Sequence, residues 1–142
     1  MSCIFCNPYN EIEIVKNHLY RIIKVQNNDY PVYFQLIINN HIKELSELSY
    51  IDSLKVFDAI YLLDQLICEI YNVDKINIAS LGNVVPHLHW HIIGRYKNDK
   101  HFPNSIWGDI TNKDYAPNLK ISHKLLIKFK EKLVSNEKIC SS

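Results

Sequence analysis

The fold prediction starts from one ten-residue stretch, Pro86-His87-Leu88-His89-Trp90-His91-Ile92-Ile93-Gly94-Arg95. Its three histidines stand two residues apart and alternate with large apolar residues. Successive side chains of a β-strand point to opposite faces of the sheet. As a strand, this stretch would therefore present all three imidazoles on one face, toward a cleft, and pack its apolar side chains into a core on the other.

Three explanations fit a row of imidazoles on one strand face. Chance placement on a solvated face is the least favoured, because three histidines within five positions is an uncommon pattern. The row could itself bind a metal, since neutral imidazole is a good metal ligand. It could also carry out phosphoryl or nucleotidyl transfer, with one imidazole attacking and another acting as acid or phosphate partner. The spacing alone does not decide between metal binding and transfer.

The length and composition predict one folded domain over residues 1–142. Hydrophobic residues make up 47% of the chain, which is enough for a core at this size. Lys and Arg total 16 against 15 for Asp and Glu, so the net charge is +1. That balance disfavours broad electrostatic capture of nucleic acid and leaves a small phosphorylated ligand open.

The sequence predicts a cytoplasmic protein. Its first residues lack the basic leader and apolar run of a signal peptide, and no stretch reaches the ~18 apolar residues of a membrane span. Cys3, Cys6, Cys68 and Cys140 are therefore expected to be thiols or metal ligands rather than disulfides. We expect Cys68 at the boundary of the core and Cys140 in a frayed tail.

The periodicity along the chain predicts an α+β fold with an antiparallel sheet. Alternating or β-branched runs mark strands, and apolar residues at steps of three and four mark helices. The predicted strands are 20–25, 32–38, 75–79 and 87–96, and the predicted helices are 49–71 and 119–134. Ser49 with Asp52 resembles a capping box at the start of the long helix.

Outside the histidine row, several residues are weaker candidates when each is taken alone. Cys3-Ile4-Phe5-Cys6 is either half of a tetrahedral zinc site or a pair of incidental thiols. His41 directly follows a strand, where binding residues are often found, although a single histidine there is commonly a surface residue. Gly82 before Asn83 would let backbone N–H groups turn toward an anion, or form an ordinary turn.

Together these motifs resemble the histidine triad (HIT) family. His87 to Ile93 matches its His-φ-His-φ-His-φ-φ signature at all seven positions, where φ is apolar. Gly82 to Pro86 is similar to the segment that precedes the signature, with Asn in place of Gln, and Arg95 stands where Arg commonly follows. Leu36 to His41 is similar to the family's Pro-x-x-His strand, with Ile38 in place of Pro. The resemblance extends from Cys3 to about residue 108 and favours a bacterial hydrolase branch.

The resemblance implies a HIT-like fold, with about five antiparallel strands, one long helix and assembly as a homodimer. It implies cleavage at the α-phosphate of a dinucleoside polyphosphate or a nucleoside phosphoramidate. Carried over to this sequence, His89 is the nucleophile and His91 contacts the phosphate and assists the leaving group. Cys3, Cys6, His41 and His87 would bind a structural Zn²⁺.

The roles that the resemblance implies place requirements on His89 and on the residues around the phosphate. Nucleophilic attack requires a free lone pair on one nitrogen of His89, while the other nitrogen should donate to a backbone carbonyl, that of His87. Phosphate charge would be balanced by His91, by N–H groups near Asn83 and Val84, and by the Asn83 amide. Val84 stands where Ser or Thr is common and removes one hydroxyl contact.

Two nucleotide contacts are weaker expectations. Asn77 is a further polar candidate, and Asn27 matches the ribose-binding position but could serve only as a turn former. Trp107 is expected at the site, at the dimer interface or in the core.

Two alternatives to the transfer chemistry remain at this stage. One is a non-catalytic nucleotide-binding module with the same fold. The other is a metalloenzyme with its metal on His87, His89 and His91, although few acidic residues flank the row.

Overall fold

A computed structural model describes residues 2–136 and 139, so Cys140 lies outside the described residues. It contains five strands and two helices, with a short 3-10 helix at Leu45–Glu47. These elements are β1 (Ile12–Lys16), β2 (Tyr20–Lys24), β3 (Tyr33–Ile38), α1 (Tyr50–Tyr71), β4 (Lys75–Ala79), β5 (His89–Arg95) and α2 (Leu119–Val134). The strands form one antiparallel sheet in the order β1-β2-β3-β5-β4. The predicted α+β fold is confirmed.

The apolar face of β5 packs into the main core, as its alternation predicts. Trp90 is opposite Leu36 and Ile92 is opposite Phe34 on the neighbouring β3. All four side chains are buried in one cluster with the inner face of α1. Complete burial of an apolar side chain of this size stabilises the fold by roughly 1.5–3 kcal/mol. The odd-numbered positions of β5 therefore point to the sheet face away from α1.

Helix α1 begins and ends at the predicted places. The Ser49 hydroxyl accepts the Asp52 backbone N–H and so satisfies one free donor of the first turn. Asn72 ends the helix in the left-handed conformation, with φ of 50°. Cys68 is exposed on the helix surface rather than at the core boundary that the sequence suggests.

Helix α2, which no family motif supports, lies beside α1 and completes the core. Its Phe129 is fully buried and stacks on Phe34 of β3, with 4.4 Å between the ring centroids. Within the described ranges 2–136 and 139, no helix combines the length and the apolar character of a membrane span.

Candidate functional site

His89 and His91 line a cavity of about 420 Å³ on the sheet face away from α1. Ile4 and Phe5 form one wall, the loop of residues 81–85 forms another, and Trp107 closes a third side. The loop therefore brings Asn83 and Val84 to the two histidines, as the sequence predicts. Gly82 turns this loop with φ of +72°, a conformation that side-chain-bearing residues rarely adopt.

The imidazole of His89 is held in one tautomer. Its Nδ1 lies 2.6 Å from the backbone carbonyl oxygen of His87. A carbonyl oxygen only accepts, so Nδ1 carries the hydrogen and Nε2 of the neutral ring has a free lone pair. This is the hydrogen bond that the sequence predicts. The strand is anchored at the same residue, because the Ser80 hydroxyl donates to the His89 carbonyl oxygen over 2.7 Å.

The imidazole of His91 faces two polar side chains of β3 that the sequence does not single out. Its Nδ1 lies 2.7 Å from the Tyr33 hydroxyl oxygen and 3.3 Å from the Gln35 amide nitrogen. Burial, with a smaller contribution from the charge of His89, lowers the pKa of His91 to about 4. Burial raises the pKa of Tyr33 to about 12, against a small opposing effect of the Gln35 hydrogen bond. Both groups are therefore neutral at pH 7.

Four predicted metal ligands meet at the start of β5. The ligand atoms of Cys3, Cys6, His41 and His87 all lie within 4.8 Å of one another. Nδ1 of His87 is 3.1 Å from Nδ1 of His41 and 3.4 Å from Sγ of Cys3. A tetrahedral Zn²⁺ with bonds of about 2.0–2.3 Å places nitrogen ligands about 3.3 Å apart and nitrogen and sulfur about 3.6 Å apart. The four residues fit a closed Cys₂His₂ zinc site.

The tautomer of His87 suits metal binding. Its Nε2 donates to the Ile38 carbonyl oxygen over 2.6 Å, which leaves the lone pair of Nδ1 directed at the cluster. Among residues 2–136 and 139, the ligand group close enough to hold an ion includes neither His89 nor His91. The geometry therefore does not support a metal on the histidine row itself.

Phe5 joins the cysteine cluster to the cavity. It lies between Cys3 and Cys6, and its ring contacts His89 edge-on, with 4.7 Å between centroids. The Arg21 guanidinium donates to the Phe5 carbonyl oxygen over 3.0 Å. From its sequence position alone, Phe5 is only a residue inside the C-x-x-C motif.

Neither Asn77 nor Asn27 lines the cavity of His89 and His91. The Asn77 side-chain oxygen accepts the Arg95 guanidinium over 2.7 Å. The Asn27 side-chain oxygen accepts the backbone N–H groups of Asp29 and Tyr30, over 2.9 and 3.1 Å. Asn27 thus forms the turn before β3, and it lines a different cavity beside α2.

A buried ion pair forms at the end of β5, and the sequence does not predict it. Arg95, only 1% exposed, donates from two nitrogens to Asp99, over 2.7 and 3.0 Å. Burial alone would raise the pKa of Asp99, but the Arg95 hydrogen bonds and the backbone N–H groups of His101 and Phe102 hold it below its ordinary value. Arg95 also donates to the Asn104 carbonyl oxygen over 2.7 Å. The pair therefore fixes the segment that leads to Trp107.

Trp107 lies against the site rather than in the core. Its ring meets His91 edge-on at 5.0 Å between centroids, and the residue is 53% exposed. The sequence left its location open among three places. Its side chain both shields His91 from water and forms an apolar surface at the cavity mouth.

Comparisons with known proteins agree with this geometry. The sequence-family model described as the HIT domain matches residues 9–98. A histidine triad protein of Bradyrhizobium japonicum is 26% identical, with a TM-score of 0.74 over 87% of this chain and 91% of that one. One from Marinobacter aquaeolei VT8 is 28% identical, with a TM-score of 0.70 over 87% and 91%.

A more distant solved structure is similar in fold. It is a zinc-bound histidine triad family protein of Mycobacterium smegmatis, 20% identical, with a TM-score of 0.59 over 95% of this chain and 97% of that one. No curated protein matches the sequence significantly. The family match spans well over half of the chain and includes the histidine row. The chain belongs to the histidine triad family.

Proposed function

We propose that this protein is a nucleotide hydrolase or transferase that works through a covalent nucleotidyl-His89 intermediate. Its substrate would be a dinucleoside polyphosphate or a nucleoside phosphoramidate, cleaved at the α-phosphate. The observation that carries the proposal is the hydrogen bond from His89 Nδ1 to the His87 carbonyl oxygen. It leaves a nucleophilic Nε2 in a cavity large enough for part of a nucleotide.

The proposed reaction has two steps. The Nε2 lone pair of His89 forms a bond to the α-phosphorus, and the bond from phosphorus to the leaving group breaks with its electron pair on the leaving group. A polyphosphate leaves as an anion, and a phosphoramidate nitrogen takes up a proton from solvent and leaves as ammonia or an amine. Water or another acceptor then attacks the same phosphorus, gives up its proton to solvent, and releases His89 with its lone pair restored. The His87 carbonyl stabilises the positive charge on the imidazole while the adduct exists.

Positioning and charge neutralisation account for most of the catalysis of phosphoryl transfer. We assign the phosphate contacts to His91, to the Asn83 amide and to backbone N–H groups of Asn83 and Val84, which line the cavity. The side chain of Val84 is 92% exposed and offers no hydroxyl. We assign Asn77 and Asn27 supporting roles, as an anchor for Arg95 and as the turn before β3.

We also propose that Cys3, Cys6, His41 and His87 hold a structural Zn²⁺. The donor set and its spacing support this, as does the zinc-bound relative from Mycobacterium smegmatis. When bound, the ion would cross-link the N-terminal loop to β5 and take no part in bond cleavage. Ile38 would orient His87 as a ligand, through the hydrogen bond to its Nε2.

A homodimer is the proposed assembly. The outer surface of α1 carries an exposed apolar stripe, with Tyr50, Leu54, Phe57 and Tyr61 between 46% and 77% exposed. These residues recur at steps of four and three and so share one helix face. A contiguous exposed apolar surface of this kind is typical of a protein interface.

Replacement of the proposed nucleophile tests the function. We expect His89→Ala to abolish turnover of adenosine 5′-phosphoramidate and diadenosine polyphosphates while adenosine monophosphate still binds. His18→Ala, which removes an exposed histidine from the turn between β1 and β2, is the matched control and should retain full activity. Full activity of His89→Ala would refute the mechanism. Nucleotide binding by the wild type without turnover would favour a non-catalytic binding module.

A further inference from the structure

We propose that Tyr33 and Gln35 hold His91 in the tautomer with its hydrogen on Nε2, which makes His91 a fixed hydrogen-bond donor to the substrate phosphate. The two residues are thus positioning residues that act through His91. The role of this donor in turnover rests on the proposed function, whereas the tautomer itself can be measured without any substrate.

The register of β3 against β5 creates the contact. Gln35 is directly opposite His91, and Tyr33 lies two residues farther along the same face. The Tyr33 side chain is buried, with 5% of the residue exposed, and its ring lies 5.9 Å from the imidazole of His91. Both polar groups approach the same nitrogen, Nδ1, over 2.7 and 3.3 Å.

Two neighbouring donors decide the tautomer. The Gln35 amide nitrogen only donates hydrogen bonds, so Nδ1 of His91 must accept. The Tyr33 hydroxyl can then donate to the same nitrogen. An Nδ1–H group could donate to the Tyr33 hydroxyl oxygen, but the Gln35 amide nitrogen would then face a second donor across 3.3 Å. A neutral imidazole that accepts at Nδ1 carries its hydrogen on Nε2, the nitrogen on the far side of the ring from these donors.

The row therefore contains two neighbouring imidazoles in opposite tautomers. His89 has its hydrogen on Nδ1 and offers a lone pair at Nε2, whereas His91 offers an N–H group at Nε2. Their ring centroids are 4.9 Å apart, so one phosphate can contact both. As the bond from His89 to phosphorus forms, His91 would hydrogen-bond a phosphoryl oxygen and keep its proton. The electron pair of the breaking bond leaves with the leaving group.

Burial supports this division of roles. It lowers the pKa of His91 to about 4 and raises that of Tyr33 to about 12, so the imidazole is neutral and the hydroxyl keeps its proton at pH 7. A neutral donor in a partly dry cavity stabilises developing phosphate charge without itself requiring a counter-ion.

Nitrogen NMR of ¹⁵N-histidine-labelled protein tests the tautomer. We expect the wild-type resonances of His91, identified by their loss in His91→Asn, to show a protonated Nε2 and an unprotonated Nδ1 at pH 7. Tyr33→Phe and Gln35→Leu should each convert part of the population to the other tautomer. Tyr71→Phe is the matched control, since it removes a buried tyrosine hydroxyl that faces the helix side and should leave His91 unchanged. A wild-type His91 protonated at Nδ1 would overturn the proposal.

Enzyme kinetics distinguish a failure of the His91 tautomer assignment from a failure of the proposed function. With adenosine 5′-phosphoramidate, Tyr33→Phe and Gln35→Leu should each lower kcat roughly 10-fold, the effect of one lost hydrogen bond, and change KM by less than about threefold. Tautomer shifts without any change in kcat would refute the catalytic role of His91 as donor. If the wild-type tautomer is as expected but no substrate turns over, the proposed function fails and the tautomer assignment stands.

Discussion

The backbone carbonyl of His87 accepts a 2.6 Å hydrogen bond from Nδ1 of His89, while the imidazole of His87 lies in the Cys₂His₂ cluster. One residue therefore connects the candidate metal site to the candidate nucleophile, through its side chain on one side and its backbone on the other. Phe5, in the loop between the two cysteines, contacts both imidazoles. A change in the geometry of the metal cluster should consequently shift the side chains of His89 and Phe5 at the cavity.

Removal of a metal ligand tests this connection. We expect Cys6→Ser to weaken Zn²⁺ binding more than about 100-fold, because a structural site needs all four donors. Since the loss of a tightly bound ion lowers stability by mass action, Tm should fall by about 10 °C. Metal content by mass spectrometry and thermal unfolding measure the two effects.

The control for the metal prediction is Cys68→Ser, which removes an exposed thiol on α1. It should keep both the ion and the Tm. His89→Ala and His91→Ala should also retain Zn²⁺. Loss of the ion in those two variants, with retention in Cys6→Ser, would instead place the metal on the histidine row.

The buried pair of Arg95 and Asp99 should give a specific pH dependence of stability. Because the pKa of Asp99 is lower in the folded protein, its stabilising effect is present above the ordinary pKa and disappears as the pH falls through the lowered value, below about pH 4. Asp99→Asn should cost about 3–5 kcal/mol near pH 7, since it leaves Arg95 buried without a counter-charge. Urea unfolding at pH 7 and pH 3 measures both effects.

An exposed ion pair provides the comparison. Glu69 and Lys132 pair on the protein surface, where such pairs contribute about 0–1 kcal/mol. Glu69→Gln should therefore change the free energy of unfolding by less than about 1 kcal/mol. Equal costs for Glu69→Gln and Asp99→Asn would contradict the importance assigned to the buried pair.

Trp107 should report nucleotide binding by fluorescence. It is half-exposed at the cavity, whereas Trp90, the second tryptophan, is buried in the core. Adenosine monophosphate bound beside His91 should exclude water from Trp107 and change its emission. Trp107→Phe should abolish this response, and an unchanged response in that variant would place the ligand elsewhere.

Sedimentation analysis tests the proposed dimer. We expect a dimer at micromolar concentrations and expect Leu54→Glu to shift it toward monomer, because a charge would be buried in the apolar stripe of α1. Ile127→Glu places the same charge at a more exposed apolar position on α2 and should leave the dimer intact. A wild-type monomer at those concentrations would rule out this assembly.

The sequence predicted the elements with a strong pattern of their own. The bounds of α2 and of β4, Lys75–Ala79, agree with the structure, as does the cap of α1 at Ser49. The sequence does not predict β1, Ile12–Lys16, which is an edge strand with one buried residue and a register shift between Glu13 and Val15. Such a strand owes its conformation to pairing with β2 more than to its own alternation.

The candidate site was predictable where the chemistry of a residue follows from local geometry. The hydrogen bond from His89 to the carbonyl two residues earlier is of that kind. The contacts of Tyr33 and Gln35 with His91 depend on strand register, which the sequence does not specify. The position of Trp107 depends on the hydrogen bonds of Arg95 to Asn77 and to the Asn104 carbonyl oxygen. These partners lie in segments that are distant in sequence, so no local pattern predicts the contacts.

Detection of a covalent adduct on His89 is the most direct test of nucleophilic attack by this residue. We would mix the protein briefly with adenosine 5′-phosphoramidate, quench it, and map the modified residue by mass spectrometry under conditions that preserve phosphohistidine. We expect an adenylyl group on His89 of the wild type, no adduct in His89→Ala, and the same adduct in His18→Ala. Substrate turnover by the wild type without any adduct, or an adduct on a residue other than His89, would contradict nucleophilic attack by His89.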